Sequence, residues 1–182
     1  MRTKETGMVS IRTAGVADAG VLADLGRRTF HETFAAQNRP EDMDAYLKGA
    51  FTVDRLTAEI REPRAVYLLA ETAERVIGFA KVVPSEPPAC VTGNSPLRLL
   101  KLYVSADAIG SGVGAALMRA CIERAKGSGH DCLWLGVWEH NRRAKAFYGR
   151  WGFVPVGVED FVLGSDKQTD ILMQLRLTVE AE

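Results

Sequence analysis

The chain has 182 residues, 47% hydrophobic and 25% charged, with 23 basic and 23 acidic side chains, which suits one globular domain with a sizeable core. Zero net charge gives no basic field for nucleic acid, and no run approaches the roughly 20 apolar residues of a membrane span, so neither partner is expected. Cys90, Cys121 and Cys132 form no C-x-x-C pair and the three histidines are scattered, which predicts idle or buried thiols, no disulfide framework and no metal site.

The start "MRTKETGMVSIRTAG" lacks an apolar h-region, so the chain is expected in the cytoplasm, with residues 1–8 a flexible extension and one domain over 9–182. Val9–Ala14 alternates as a strand does, and Val16–Phe34 carries helical spacing at Val16, Val21, Leu22 and Leu25. Asn38, Arg39 and Pro40 break that helix. A second helix starts with Pro40, Glu41 and Asp42 in its first turn, and a third covers Val53–Arg61. Ala65–Glu71 and Arg75–Val83 form a hairpin around Thr72–Glu74, and Ser85–Pro96 is a loop. A strand at Leu97–Val104 leads through a glycine-rich turn into a helix with Val113, Ala116, Leu117, Ala120 and Cys121 on one face, ended by Gly127–Gly129. Cys132–Trp138 reads as a buried strand and Asn141 caps a short helix to Trp151. Phe153–Leu163 and Thr169–Leu177 close the chain as an antiparallel pair. The order predicts a single α/β domain with a mixed, mostly antiparallel sheet and one central strand–turn–helix–strand crossover.

"DAIGSGVGAALM", Asp107–Met118, places three glycines at alternate positions before a helix. Each glycine there costs about 1 kcal/mol relative to alanine. Bare backbone is the return: N–H groups converge on one concavity beside the positive end of a helix, and such a place suits phosphate. No lysine follows, which excludes a P-loop. Gly110, Gly112 and Ala115 do fit the dinucleotide pattern, with Glu139 near the place of a ribose-binding acid. However, five residues separate Val104 from Gly110, and the 43 residues after Glu139 are too few for a doubly wound sheet. A tight turn with no ligand is the remaining alternative.

"LKLYV" followed by "IGSGVGAALM" and "LWLGVWEHNRRAKAFYGRWGF" closely resembles the GNAT superfamily of acyl-CoA-dependent N-acetyltransferases, over the chain from about Val9 to its end. The resemblance implies a GNAT-like sheet with splayed central strands and acetyl-CoA as co-substrate. It implies that the backbone of Gly110, Ser111, Gly112, Val113, Gly114 and Ala115 holds the pyrophosphate. The main chain of Leu102, Tyr103 and Val104 would then pair with the pantetheine arm, with Asn141 beside that arm and Tyr148 near the sulfur. Ile109 departs from the family, which usually has arginine or glutamine there, and so lacks a side-chain phosphate contact.

Residue chemistry agrees on Tyr148, whose hydroxyl a purely apolar helix face would leave unpaired. With a pKa of about 10 it stays protonated at neutral pH and can protonate a departing thiolate. Its helix neighbours Ala144, Phe147 and Trp151 read as core. Gly136 inside "WLGVW" suggests a bulge or a close backbone approach, and by the resemblance leaves room for the acetyl group and the acceptor. In the branch that acetylates ribosomal-protein N-termini a glutamate commonly stands there. The motif around Gly136, "RTFHETF" and "DKQTD" look most like the bacterial spermidine/spermine branch, which implies a small polyamine acceptor. His31–Glu62 holds seven acids against four bases, and Glu41, Asp42 and Asp44 could form an acidic rim for such a cation. Those three acids equally suit a helix N-terminus. Phe30, His31 and Phe34 are the expected pocket lining. The base is left between His31, Glu139 and a water chain, a homodimer is a permitted assembly, and a protein-amine acetyltransferase or a non-catalytic acyl-CoA sensor are the competing functions.

Overall fold

The computed structural model describes residues 8–178; the expected extension falls almost wholly outside them. Seven strands make one sheet: β1 (Ser10–Thr13), β2 (Val66–Glu71), β3 (Val76–Val83), β4 (Pro96–Val104), β5 (Cys132–Trp138), β6 (Val154–Leu163) and β7 (Asp166–Arg176), in the order β1-β2-β3-β4-β5-β7-β6. Every neighbouring pair is antiparallel except β4 and β5. The helices are α1 (Ala19–Phe34), α2 (Pro40–Ala50), α3 (Val53–Arg61), α4 (Val113–Gly127) and α5 (Arg142–Arg150).

The two faces of the sheet follow from strand alternation. In β2, Leu68 and Ala70 point into a core filled by Val113, Leu117, Met118 and Cys121 of α4, with Tyr148 of α5. Tyr67 and Leu69 point to the other side, against Leu22 and Leu25 of α1, Met43 of α2 and Leu56 of α3. Val16 and Val21, expected on the buried face of the first helix, are exposed. The chain begins there as a 3-10 turn over Val16–Asp18, whose tighter winding takes Val16 off the stripe. The final hairpin is tighter than the sequence suggests. β7 starts at Asp166, paired with Leu163, and Asp42 Oδ1 accepts bonds from Ser165 N–H (2.7 Å) and Oγ (2.9 Å) to hold the turn.

β4 and β5 are the crossover strands, and they part. Their parallel pairing covers only Pro96–Arg98 against Cys132–Trp134. Beyond it, β4 slips register against β3 between Lys81 and Val82, leaving Leu100 as the extra residue, while β5 stays paired with β7 as far as Trp138 and Asp170. A bulge bends the strand that carries it. The sheet therefore opens between Leu99–Val104 and Leu135–Trp138, as expected for splayed central strands.

Candidate active site

A cavity of about 600 Å³ runs through that opening, lined from one side by Gly110, Gly112, Gly114, Ala115, Asn141 and Tyr148 and from the other by Phe30, Phe34, Phe161, Gln168 and Asp170. The first side is a set of bare donors. Gly110 and Gly112 have φ of 84° and 93°, which glycine alone adopts readily. The first bond of α4 runs from Ala116 N–H to Gly112 O (3.0 Å). The N–H groups of Gly110, Gly112, Val113, Gly114 and Ala115 thus have no protein acceptor among the described residues. β4 adds more donors. Ser105 N–H bonds Ile77 O on the β3 side (2.8 Å), so by alternation the N–H groups of Leu102 and Val104 face the opening, where β5 no longer pairs. Asn141 caps α5, its Oδ1 accepting from Ala144 N–H (3.0 Å), and the residue lines the cavity.

Tyr148 is buried and makes no side-chain hydrogen bond among the described residues, yet it lines the cavity. Burial pushes its pKa above the ordinary tyrosine value, so the hydroxyl keeps its proton across the neutral range. Tyr103 is shifted the same way by burial.

The second side is aromatic with one carboxylate. Phe30 stacks on Tyr46 (4.5 Å between ring centroids) and meets Tyr103 edge-on (6.4 Å), and Phe34 meets Trp138 (5.9 Å). Gln168 of β7 donates to Asn38 beyond the end of α1, joining the two elements at the mouth. Asp170 stands among these groups with its pKa raised to about 6, by burial first and by the Glu159 charge second. Glu159 accepts a bond from Arg98 (2.8 Å).

The structure thus brings together Phe30, Phe34, Leu102, Tyr103, Val104, Ile109, Gly110, Gly112, Gly114, Ala115, Gly136, Asn141 and Tyr148 on one cavity. Several expectations change. His31 is exposed and off the cavity, one residue round the helix from the Phe30–Phe34 stripe. Ser111 spends its N–H (3.2 Å) and its hydroxyl (2.6 Å) on Ala108 O, so it closes the turn instead of facing a ligand. The Val113 side chain is buried in the core, leaving only its N–H. β5 has no bulge at Gly136, which pairs regularly with Leu172; the close approach is by side chains, since a Cβ there would lie 2.8 Å from Glu159 Oε1 and 3.2 Å from Asp170 Oδ2. None of Glu41, Asp42 and Asp44 lines the cavity, because Asp42 is buried against Ser165 and Glu41 pairs with Arg39 (3.8 Å). Glu139 does not line it either. The residues that sequence reasoning missed include Asp170, Gln168, Arg98 and Arg143, all on the cavity wall.

A family model described as "Acetyltransferase (GNAT) family" matches residues 27–153. An N-acetyltransferase of Lactobacillus delbrueckii subsp. lactis, known by its place in the 3' region of pepI, is 32% identical over 153 residues, 84% of this chain and 88% of that protein. Among solved structures, the PaiA N-acetyltransferase of Thermoplasma acidophilum in complex with coenzyme A superposes with a TM-score of 0.75 at 21% identity, covering 93% of this chain and 99% of that one. The ribosomal-protein-S18-alanine N-acetyltransferase of Escherichia coli gives 0.70 at 18%, covering 96% and 97%. Cavity, sheet opening, glycine turn and sequence relatives agree, and the chain belongs to the GNAT family of acetyltransferases.

Proposed function

We propose that this acetyltransferase transfers the acetyl group of acetyl-CoA directly to the primary amine of a small molecule that carries one ammonium on an apolar body. The observation that carries this reading is one continuous cavity, with free backbone donors on one side and an aromatic wall with one carboxylate on the other. The residues present fit acetyl-CoA. Nothing lies within 4 Å of where a Cβ of Gly110 or Gly112 would be, so phosphate can approach bare N–H groups at the start of α4. Arg143, on the first turn of α5, lines the same cavity and supplies the cation that Ile109 does not. Leu102 and Val104 would hold the pantetheine arm with their outward N–H groups, and Val104 N–H would polarise the acetyl oxygen. Tyr148 holds its proton for the departing sulfur.

The acceptor class follows from charge. A polyamine needs carboxylates for its distal ammonium groups. Among the described residues the cavity lining offers Asp170 as its one acid, with Arg98 and Lys101 of β4 also on the wall, and none of the three acids expected to form a rim lines it. Aromatic rings at the mouth favour an apolar body instead. A cavity of about 600 Å³ whose wall includes the Gln168–Asn38 contact suits a small molecule better than a protein segment.

Thiol release from acetyl-CoA, measured with 2-phenylethylamine, spermidine and an alanine-terminated peptide, tests this. kcat/KM is expected to be highest for 2-phenylethylamine, by tenfold or more over spermidine. Preference for spermidine would restore the polyamine reading, preference for the peptide would make it a protein acetyltransferase, and no turnover with any of them would favour a sensor.

A further inference from the structure

Asp170 occupies an unusual position for a carboxylate. It sits opposite Trp138 of β5 and Glu159 of β6, lines the cavity at its aromatic end, and makes no hydrogen bond or ion pair through its side chain among the described residues. Its neighbours are otherwise engaged. Glu159 Oε1 takes the guanidinium of Arg98 at 2.8 Å, and that guanidinium lies 4.5 Å over the Trp134 ring. β5 presents only Gly136, and the missing side chain there is what lets Glu159 and Asp170 approach, since any Cβ would stand 2.8 and 3.2 Å from their oxygens. From β4 the Arg98 guanidinium acts against the Glu159 charge and lowers the Asp170 pKa in part, and the phenols of Tyr46 on α2 and Tyr103 on β4, which feel the Asp170 charge, are both neutral at any physiological pH. A half-buried carboxylate left without a donor loses part of its hydration with no protein partner in return. Here it is exposed to the ligand cavity and to nothing that satisfies it.

We propose that Asp170 is the general base of the reaction, docking the acceptor's ammonium and taking its proton, with Glu159 and Arg98 as positioning residues behind it. This rests on the small-amine reading above. The bookkeeping closes on two protons. Asp170 takes the first from the ammonium, freeing the nitrogen lone pair to attack the thioester carbon. The C–N bond forms, the C–S bond breaks, and the electron pair leaves on sulfur, which Tyr148 protonates. The second nitrogen proton restores Tyr148, and Asp170 returns the first to solvent. A base must be ionised to work, and burial with the Glu159 charge places Asp170 at about 6, where it is mostly charged at neutral pH yet close enough to it to exchange a proton.

The test uses two acceptors with acetyl-CoA: 2-phenylethylamine, an ammonium at neutral pH, and hydroxylamine, which is largely unprotonated there and needs no base. Asp170→Asn is expected to lower kcat/KM for 2-phenylethylamine at least 100-fold and to abolish the acidic limb of its pH profile near pH 6, while hydroxylamine turnover stays within a few-fold. Glu159→Gln is expected to move that limb to lower pH. Asp170→Asn with an unchanged profile, or with equal losses for both nucleophiles, overturns the assignment and leaves the acceptor reading standing. A wild type that acetylates hydroxylamine but no ammonium substrate overturns the acceptor reading itself, and the base assignment with it.

Discussion

Glu59 and Asp170 are carboxylates set against the same sheet, one under its closed half and one at its opening, and their surroundings drive them in opposite directions. Burial alone would raise both. Glu59, on α3, accepts from Lys81 Nζ (2.6 Å) and from Tyr67, lies 3.6 Å from Lys101 Nζ, and binds Arg55 at 2.9 Å, so burial is overcome and its pKa is held at about 2. Lys101, buried in the same cluster, is lowered to about 8, by desolvation first and despite Glu59. Asp170 has no such partners and rises to about 6. The cluster around Glu59 pairs the charges it holds and reads as scaffold, with Lys101 the member that also reaches the cavity wall; the open half leaves donors, a phenol and a carboxylate unsatisfied and reads as site.

The largest effect expected is on the open side. Tyr148→Phe keeps the ring and its packing while removing the proton, and should lower kcat by roughly 10² to 10⁴ with little change in Tm. Steady-state rates beside a thermal melt check this, and an unchanged kcat with chemistry rate-limiting would return Tyr148 to the core. On the closed side the pattern inverts. Glu59→Gln leaves Lys81 and Lys101 buried without their anion, which should destabilise the fold by about 3 kcal/mol or more. Activity per folded molecule should change little. Because the folded pKa of Glu59 lies below its unfolded value of 4.5, its stabilisation is fully present above that value and is lost as pH falls toward 2. The gap between wild type and variant in urea midpoint should therefore narrow on acidification.

What the sequence discloses follows the same division. Local signals were legible: Pro40 at a helix start, Asn141 as a cap, and the alternate glycines of Gly110–Gly114 all act within a few residues. The donor side of the cavity was readable for that reason. The acceptor side was legible in part: Phe30, Phe34 and Gly136 do line the cavity, but Asp170 gains its meaning from pairing with Trp138 and Glu159, a register that no local pattern states. Asp42 misled in the opposite direction, since a helix-start acid looks the same whether it faces solvent or holds Ser165 from a distant hairpin. Glu59 did leave a trace. Lys81 interrupts an otherwise apolar strand, and a buried lysine demands an acid partner.

A smaller effect separates the glycine turn from the helix that follows it. Gly112 has φ 93°, so any side chain there strains the backbone whatever it does to a ligand. Gly114 is helical, and a Cβ on it would meet the Phe147 ring at an ordinary 3.6 Å. Gly114→Ala should thus leave the fold as stable or gain up to about 1 kcal/mol from helix propensity, while its methyl group intrudes on the cavity and weakens CoA roughly tenfold, about 1.4 kcal/mol. Equal CoA affinity by calorimetry would break the link between the bare turn and the phosphate.

The smallest effect has the sign opposite to most active-site substitutions. The folded pKa of Asp170, about 6, lies above its ordinary 3.8, so the folded protein binds its proton more tightly than the unfolded chain does. Its contribution is neutral below about pH 4, turns destabilising as pH rises from 3.8 through 6, and stays so at neutral pH. Asp170→Asn removes the charge and keeps the shape. The variant should match wild type in stability near pH 4 and exceed it at pH 7 by the order of 1 kcal/mol, less than the full shift implies because the carboxylate still reaches water in the cavity. The same substitution on Glu59 loses stability at pH 7, so the pair of variants measured by urea unfolding at both pH values puts opposite signs on the two carboxylates. A site that holds a destabilising charge for chemistry trades stability for activity. An Asp170→Asn variant that is less stable than wild type at pH 7 would mean that the carboxylate has a partner in solution, and the contrast between the closed and open halves of the sheet would be lost.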